Sequence, residues 1–134
     1  MICRVSPLHH VLPLCRQRCS AALCKPGSEM QAEFREGAAS TTVAVVEDGV
    51  YPLAWAATHV WRGWQTLEGF TSPRHRRRGL QRWAASGLVV AGHLDLRRPV
   101  AVFAPACVEL TRSLGFVESV LFQRRDGDWI EVRT

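Results

Sequence analysis

The segment Phe70-Thr71-Ser72-Pro73-Arg74-His75-Arg76-Arg77-Arg78-Gly79-Leu80-Gln81-Arg82-Trp83 decides how this chain is read. A strand-like run, Trp64 to Ser72, leads into it. An amphipathic run leaves it, with Leu80, Trp83, Ala84, Gly87, Leu88 and Ala91 on one helical face. A strand end, a basic turn and a helix start thus follow one another directly. The first N–H groups of such a helix have no intrahelical partner and lie at the positive end of its dipole, which makes the turn a ready phosphate site. A side chain at Gly79 would hold an anion away from those amides. Arg76, Arg77 and Arg78 add charged donors around the same point. A run of arginines alone suits a solvated face or a nucleic-acid patch equally well. Pro73 ahead of it, Gly79 inside it and the amphipathic helix behind it favour the phosphate loop.

Working outward, Leu80 to Leu94 reads as a helix, and Pro99 to Ala104 as a short apolar strand buried on both sides. Pro105 opens a second helix carrying Val108, Leu110, Thr111 and Leu114, with Gly115 as its stop. Phe116 to Arg124 and Trp129 to Val132 are strands around Asp126-Gly127-Asp128. Upstream, Thr42 to Glu47, Tyr51 to Trp61 and Trp64 to Ser72 form an antiparallel meander, joined at Glu47-Asp48-Gly49-Val50 and Arg62-Gly63. Ile2 to Val5 is a further strand. Pro7 begins a helix bearing Leu8, Val11, Leu12, Leu14, Cys15, Cys19 and Leu23, which Pro26-Gly27 breaks. Ser28 and Gln31 cap a short helix running to about Glu36. The expected architecture is α/β (α+β): one mixed, mainly antiparallel sheet of six or seven strands flanked by helices.

The chain has 134 residues, enough for one core, and its 47% hydrophobic and 22% charged residues are the balance of a packed globular protein. Its net charge is +5, and Lys25 is its only lysine, so the positive side is almost wholly arginine and suits an anionic ligand. No apolar run is long enough to span a membrane. His9, His10, Pro13, Arg16 and Arg18 interrupt Met1 to Leu23, which therefore reads poorly as a signal peptide. The five cysteines are odd in number, and Cys15, Cys19 and Cys24 form no Cys-x-x-Cys pair. Neither a disulfide framework nor a metal site is expected, and a reducing, cytoplasmic setting is.

Arg76-Arg77-Arg78-Gly79-Leu80-Gln81 resembles the acetyl-CoA motif of the GNAT superfamily of N-acetyltransferases, Gln/Arg-x-x-Gly-x-Gly/Ala, with Gln81 standing where the last small residue belongs. Leu114-Gly115-Phe116 is similar to the end of that family's Tyr-x-x-Leu-Gly-Phe helix terminus. The match covers about residues 42–132, the acetyl-CoA-binding core. Residues 1–41 fit loosely and are short for the family's first strand and two helices. The resemblance implies one GNAT-like domain over 1–134, acetyl-CoA as co-substrate, and direct attack by a primary amine of a small molecule or a protein; it allows a homodimer. It implies pantetheine along the backbone of Gly69, Phe70 and Thr71, where Trp64–Ser72 splays from Val100–Phe103. The pyrophosphate would lie on the amides of Arg76, Arg77, Arg78, Gly79, Leu80 and Gln81.

Glu68 would be the base that frees the amine lone pair. Thr111 falls where the family carries a tyrosine acid, and Cys107, Ser113 and Tyr51 are the other donors within the pattern. Trp61 and Trp64 flank a turn beside the expected acceptor cleft. Two other readings stay open: a catalytically silent coenzyme A-binding protein of the same fold, and a small basic nucleic-acid module using Arg74–Arg82. Against the latter, no aromatic interleaves with the arginines except Trp83, on the helix's apolar face. The fold by itself names no acceptor.

Overall fold

The computed structural model describes residues 1–7, 41–49, 51–71 and 73–132. The helices expected between Pro7 and Glu36, with Cys15, Cys19 and Cys24, lie outside the described residues. The strands are β1 (Ile2–Pro7), β2 (Thr42–Asp48), β3 (Tyr51–Thr58), β4 (Val60–Trp61), β5 (Trp64–Thr66), β6 (Glu68–Thr71), β7 (Val100–Val102), β8 (Ser119–Arg125) and β9 (Asp128–Val132). A 3-10 turn spans Pro73–His75, and the α-helices among the described residues are α1 (Leu80–Val90) and α2 (Pro105–Leu114).

The single sheet expected from the sequence is two sheets, ordered β1-β2-β3-β6 and β4-β5-β7-β8-β9. The division comes from two strands that break in mid-course. Tyr51 to Trp61 breaks at His59 and Trp64 to Thr71 breaks at Leu67. The cause is local. Thr66 Oγ1 accepts from the His59 N–H at 3.2 Å and lies 3.0 Å from His59 Nδ1, so a side chain takes over one rung of the ladder. Burial holds the His59 imidazole below its ordinary pKa. Beyond the break, the Leu67 N–H donates to Ala101 O at 3.1 Å, the last rung joining this strand to β7.

Parallel pairing holds β5 to β7 and β7 to β8; the other pairings are antiparallel. Helix α1 lays Leu80, Ala84, Ala85 and Leu88 on Ala44, Val46, Ala54 and Ala56. Alanines on both sides let the helix axis come close to the sheet. Full burial of a side chain such as Leu88 contributes about 2 kcal/mol. The helix ends four residues earlier than its apolar pattern suggests, because Gly92 takes φ 83°. Gly92 N–H then donates to Val89 O and His93 N–H to Leu88 O, a Schellman closure. Similarly, β8 starts at Ser119 rather than Phe116, whose N–H is used in closing α2 on Thr111 O.

A second cluster gathers on the opposite face of the other sheet: Ala101, Val120 and Phe122, with Trp61, Trp64, Phe103 and Trp129 packed around them. Between α1 and β7, the loop is tied by the buried Gln65. Its Nε2 donates to the carbonyls of Asp95 (2.7 Å), Arg98 (3.0 Å) and Pro99 (3.3 Å), and its Oε1 accepts from the Asp95 N–H (2.9 Å). Among the described residues no helix is long and apolar enough to cross a membrane.

Truncating Gln65 removes every one of these bonds and leaves the part-buried backbone groups of Asp95, Arg98 and Pro99 without that partner. Gln65→Ala should lower stability by about 2–3 kcal/mol and speed amide hydrogen exchange at Asp95 well before it does so in β7. An unchanged melting temperature would show that the loop holds itself.

Candidate functional site

The groove that matters lies where β6 leaves β7. β5 is held to β7 through Gln65↔Val100 and Thr66↔Ala101, whereas Glu68 to Thr71 pair only with β3 among the described strands. The two strands therefore part beyond Leu67, leaving one edge of β6 facing the gap. Strand backbone in such a position presents N–H and C=O groups that an extended ligand can use.

At the far end of β6 the basic turn closes the groove. Arg76 Nε donates back to Thr71 O at 3.3 Å, fastening the turn to the strand end. Arg77 and Gly79 both adopt left-handed backbone, at φ 66° and φ 71°. Gly79 is the residue preceding α1, and no side chain caps that helix. The first bond into the helix is Trp83 N–H to Gly79 O at 2.9 Å. The N–H groups of Leu80, Gln81 and Arg82 therefore stand ahead of the helical ladder. Gly79 is exposed, and a Cβ built on it meets nothing within 4 Å. No neighbouring side chain blocks the helix start there.

A cavity of about 540 Å³ fills this space, lined by Gly69, Thr71, Arg76, Arg77, Gly79, Leu80, Gln81, Arg82, Ala106 and Leu110. Of the residues singled out from the sequence, it gathers Gly69, Thr71, Arg76, Arg77, Gly79, Leu80 and Gln81. Phe70 contributes backbone to the same strand, and Arg78 is exposed outside the lining. Arg82, Ala106 and Leu110 were missed. Arg82 sat in the arginine run and is brought to the wall by α1's first turn, where its NH2 donates to Ser113 O of α2 at 3.2 Å. Ala106 and Leu110 lie one turn apart on α2, a spacing without chemistry of its own to betray it.

Gln81 and Gly69 fit one another across this groove. A Cβ on Gly69 would fall 2.3 Å from Gln81 Nε2 and 2.7 Å from Trp55 O, so the strand has room for the Gln81 amide only because it carries no side chain there.

No family model and no curated protein sequence matches the chain. Solved structures do. AAC(6')-Iy, determined with the bisubstrate analogue CoA-S-monomethyl-acetylneamine, superposes with a TM-score of 0.59 over 100% of this chain and 99% of its own, at 14% identity. A protein from Clostridium acetobutylicum described as a predicted acetyltransferase, determined with acetyl-CoA, gives a TM-score of 0.58 over 98% of this chain and 95% of its own, at 16% identity. The fold is that of the GNAT-type acetyltransferases.

Within this GNAT fold, Glu68 is the first residue of β6, at the apex of the gap, and is only 6% exposed. It lies opposite Ala57 on β3, on the face turned away from Gly69 and α1. Its charge is felt at Cys107: burial first, then the Glu68 carboxylate, pushes the Cys107 thiol up to about 11. A thiol so reluctant to ionise is a poor nucleophile. Thr111, expected at the acid position, is fully buried. Its hydroxyl is engaged with Cys107 O, Val108 O and Ser119 Oγ. The Ser119 bond fastens α2 to the start of β8, the other two lie within α2, and Thr111 does not line the groove; its placement is that of a structural residue. Among the described residues no group of three or more His, Cys, Asp or Glu side chains is arranged to hold a metal ion.

The thiol shift sets a pH dependence. Between pH 9, where an ordinary cysteine is half ionised, and about pH 11, Cys107 keeps its proton in the fold and loses it on unfolding, so its contribution to stability declines as pH rises through that window. Alkylation of Cys107 by iodoacetamide at pH 8, followed by peptide mass spectrometry, should run about 100-fold slower in the native protein than in urea-unfolded chain. Equal rates would mean that the thiol is neither buried nor opposed by Glu68.

Proposed function

We propose that this chain transfers an acetyl group from acetyl-CoA to a primary amine. The observation that carries the reading is the parted strand: an open edge of β6 runs from a buried carboxylate at the apex to an arginine-lined helix start at the mouth. A long ligand with a diphosphate at one end and amides in its arm suits that sequence of groups. Gly69, Phe70 and Thr71 offer backbone to the arm. The amides of Leu80, Gln81 and Arg82, with Arg76 and Arg77, suit the diphosphate, because helix-terminal N–H groups and guanidiniums both favour localised negative charge.

Bound acetyl-CoA would supply an activated acetyl thioester. The chain's part is then positional and acid–base. A protonated amine has no lone pair to attack with, so Glu68 takes one of its protons, directly or through a water. The amine nitrogen forms a bond to the acetyl carbon as the carbon–sulfur bond breaks, coenzyme A leaves as its thiolate, and the nitrogen's surplus proton passes to that thiolate or to water. The engaged Thr111 hydroxyl argues that no proton comes from there, and the high thiol pKa of Cys107 argues against an acetyl-cysteine on the way. A silent coenzyme A-binding protein would need the same groove. The carboxylate kept buried at the apex favours turnover, since burying a carboxylate is costly and an inert site has no use for it.

Gly79→Glu places a carboxylate where the diphosphate is proposed to sit. Its Cβ would project into open space, so the fold should survive with a strain of about 1 kcal/mol from the left-handed backbone. Calorimetry should find acetyl-CoA binding abolished in a variant with native circular dichroism; unchanged affinity would refute the groove as a coenzyme A site. Glu68→Gln should reduce kcat by about 10²–10⁴ while leaving the Kd for acetyl-CoA unaltered. Full activity in that variant would remove Glu68 from the proton transfer.

A further inference from the structure

The face that Glu68 shares is aromatic. In β5, Trp64 and Thr66 point to the side opposite Gln65 and the buried Leu67, and the same alternation brings Glu68 to that side. Glu68 and Phe103 each lie two residues beyond the last paired positions, Thr66 and Ala101, at the point where the two strands part. From Phe103 a continuous wall extends. Its ring centroid lies 5.1 Å from Trp61, 5.0 Å from Trp129 and 6.4 Å from Phe122, and Trp61 is 5.0 Å from Phe122. The contacts of Phe103 with Trp61 and Trp129 are edge-to-face, and Trp61, Phe103 and Trp129 are each half-buried.

The charges on this face are few and nearly balanced. Arg62 stacks 4.5 Å over the Trp61 ring and bonds Asp128 at 2.9 Å. Arg124 lies 5.8 Å from the Trp129 ring, and Glu131 pairs opposite Phe122. An acceptor with many ammonium groups needs several carboxylates in one place. Here it would meet Glu68, which is buried, Asp128, which Arg62 already holds, and Glu131, which shares the face with Arg124. A ligand with one amine and a flat apolar body has a partner for each part: Glu68 for the amine, and ring edges and faces for the body.

We infer that the acceptor is an aromatic monoamine, an aryl ring joined by a short alkyl arm to a primary amine, bound against Trp61, Phe103 and Trp129. This rests on the acetyl transfer proposed above and assigns the class of molecule that receives the acetyl group.

The test is a thiol-release assay with acetyl-CoA and phenethylamine, hexylamine or spermidine as acceptor, alongside a thermal shift with acetyl-CoA alone. Phenethylamine should give a kcat/KM at least about tenfold above the other two. Trp61→Ala should raise the KM for phenethylamine about tenfold and leave the KM for acetyl-CoA within about twofold. Trp61→Phe should restore most of the loss, and Phe103→Leu serves as the second variant should Trp61→Ala not fold. Equal use of hexylamine, a preference for spermidine, or variants that weaken all three amines alike would overturn the assignment. If acetyl-CoA raises the melting temperature and phenethylamine is not acetylated, the assignment fails while the coenzyme A groove stands. If acetyl-CoA produces no shift, the transfer reading fails, and tryptophan fluorescence decides the wall by itself: saturable quenching by phenethylamine supports it, and its absence refutes it.

Discussion

The architecture turns on how one strand disposes of its backbone hydrogen bonds. Every buried N–H and C=O must find a partner, and the strand running from Trp64 to Thr71 finds them in two different neighbours. Up to Leu67 it has β7 on one side; past Leu67 it has β3 alone among the described strands. Thr66 makes the hand-over workable by giving the His59 backbone a side-chain acceptor at the point where regular pairing stops. The groove between β6 and β7 is thus the unavoidable remainder of a strand that changes partners.

Around that remainder the molecule is assembled for stiffness. Gln65, one residue before Thr66, points the other way and clamps the loop that enters β7. Thr111 fastens α2 to β8, and Arg82 reaches from α1 to the backbone of α2. Each wall of the groove is therefore tied by polar bonds at the end where apolar packing thins out. A carboxylate can be kept buried at the apex only if the frame around it does not open readily to water, and these ties supply that condition.

Much of this was legible in the amino acids, and what was not has identifiable causes. The basic turn could be read because its determinants are local: Pro73, the arginines and Gly79 act within one turn of chain. The helix after it was drawn four residues too long because Val89, Val90 and Ala91 continue an apolar pattern, and the closure depends on Gly92 adopting a conformation that no pattern of hydrophobicity reports. The two strand breaks were missed because they depend on a hydroxyl and a histidine seven residues apart meeting across a hairpin. Thr111 was read for what stands at its position elsewhere, whereas its partner Ser119 belongs to the next strand and could not be foreseen. Glu68 was placed correctly on its strand, but its burial and its influence on Cys107 are properties of the packed core.

The interlocking of Gln81 with Gly69 has a consequence for how this chain can vary. Bulk removed from the strand reappears on the helix, so the two positions trade volume across a fixed gap. A methyl group added at 69 meets both the amide of Gln81 and the carbonyl of Trp55, and shortening residue 81 relieves only the first of these collisions. Drift at this spot is consequently one-directional: position 81 is free to shrink, while position 69 is held at glycine by the main chain behind it whatever stands opposite.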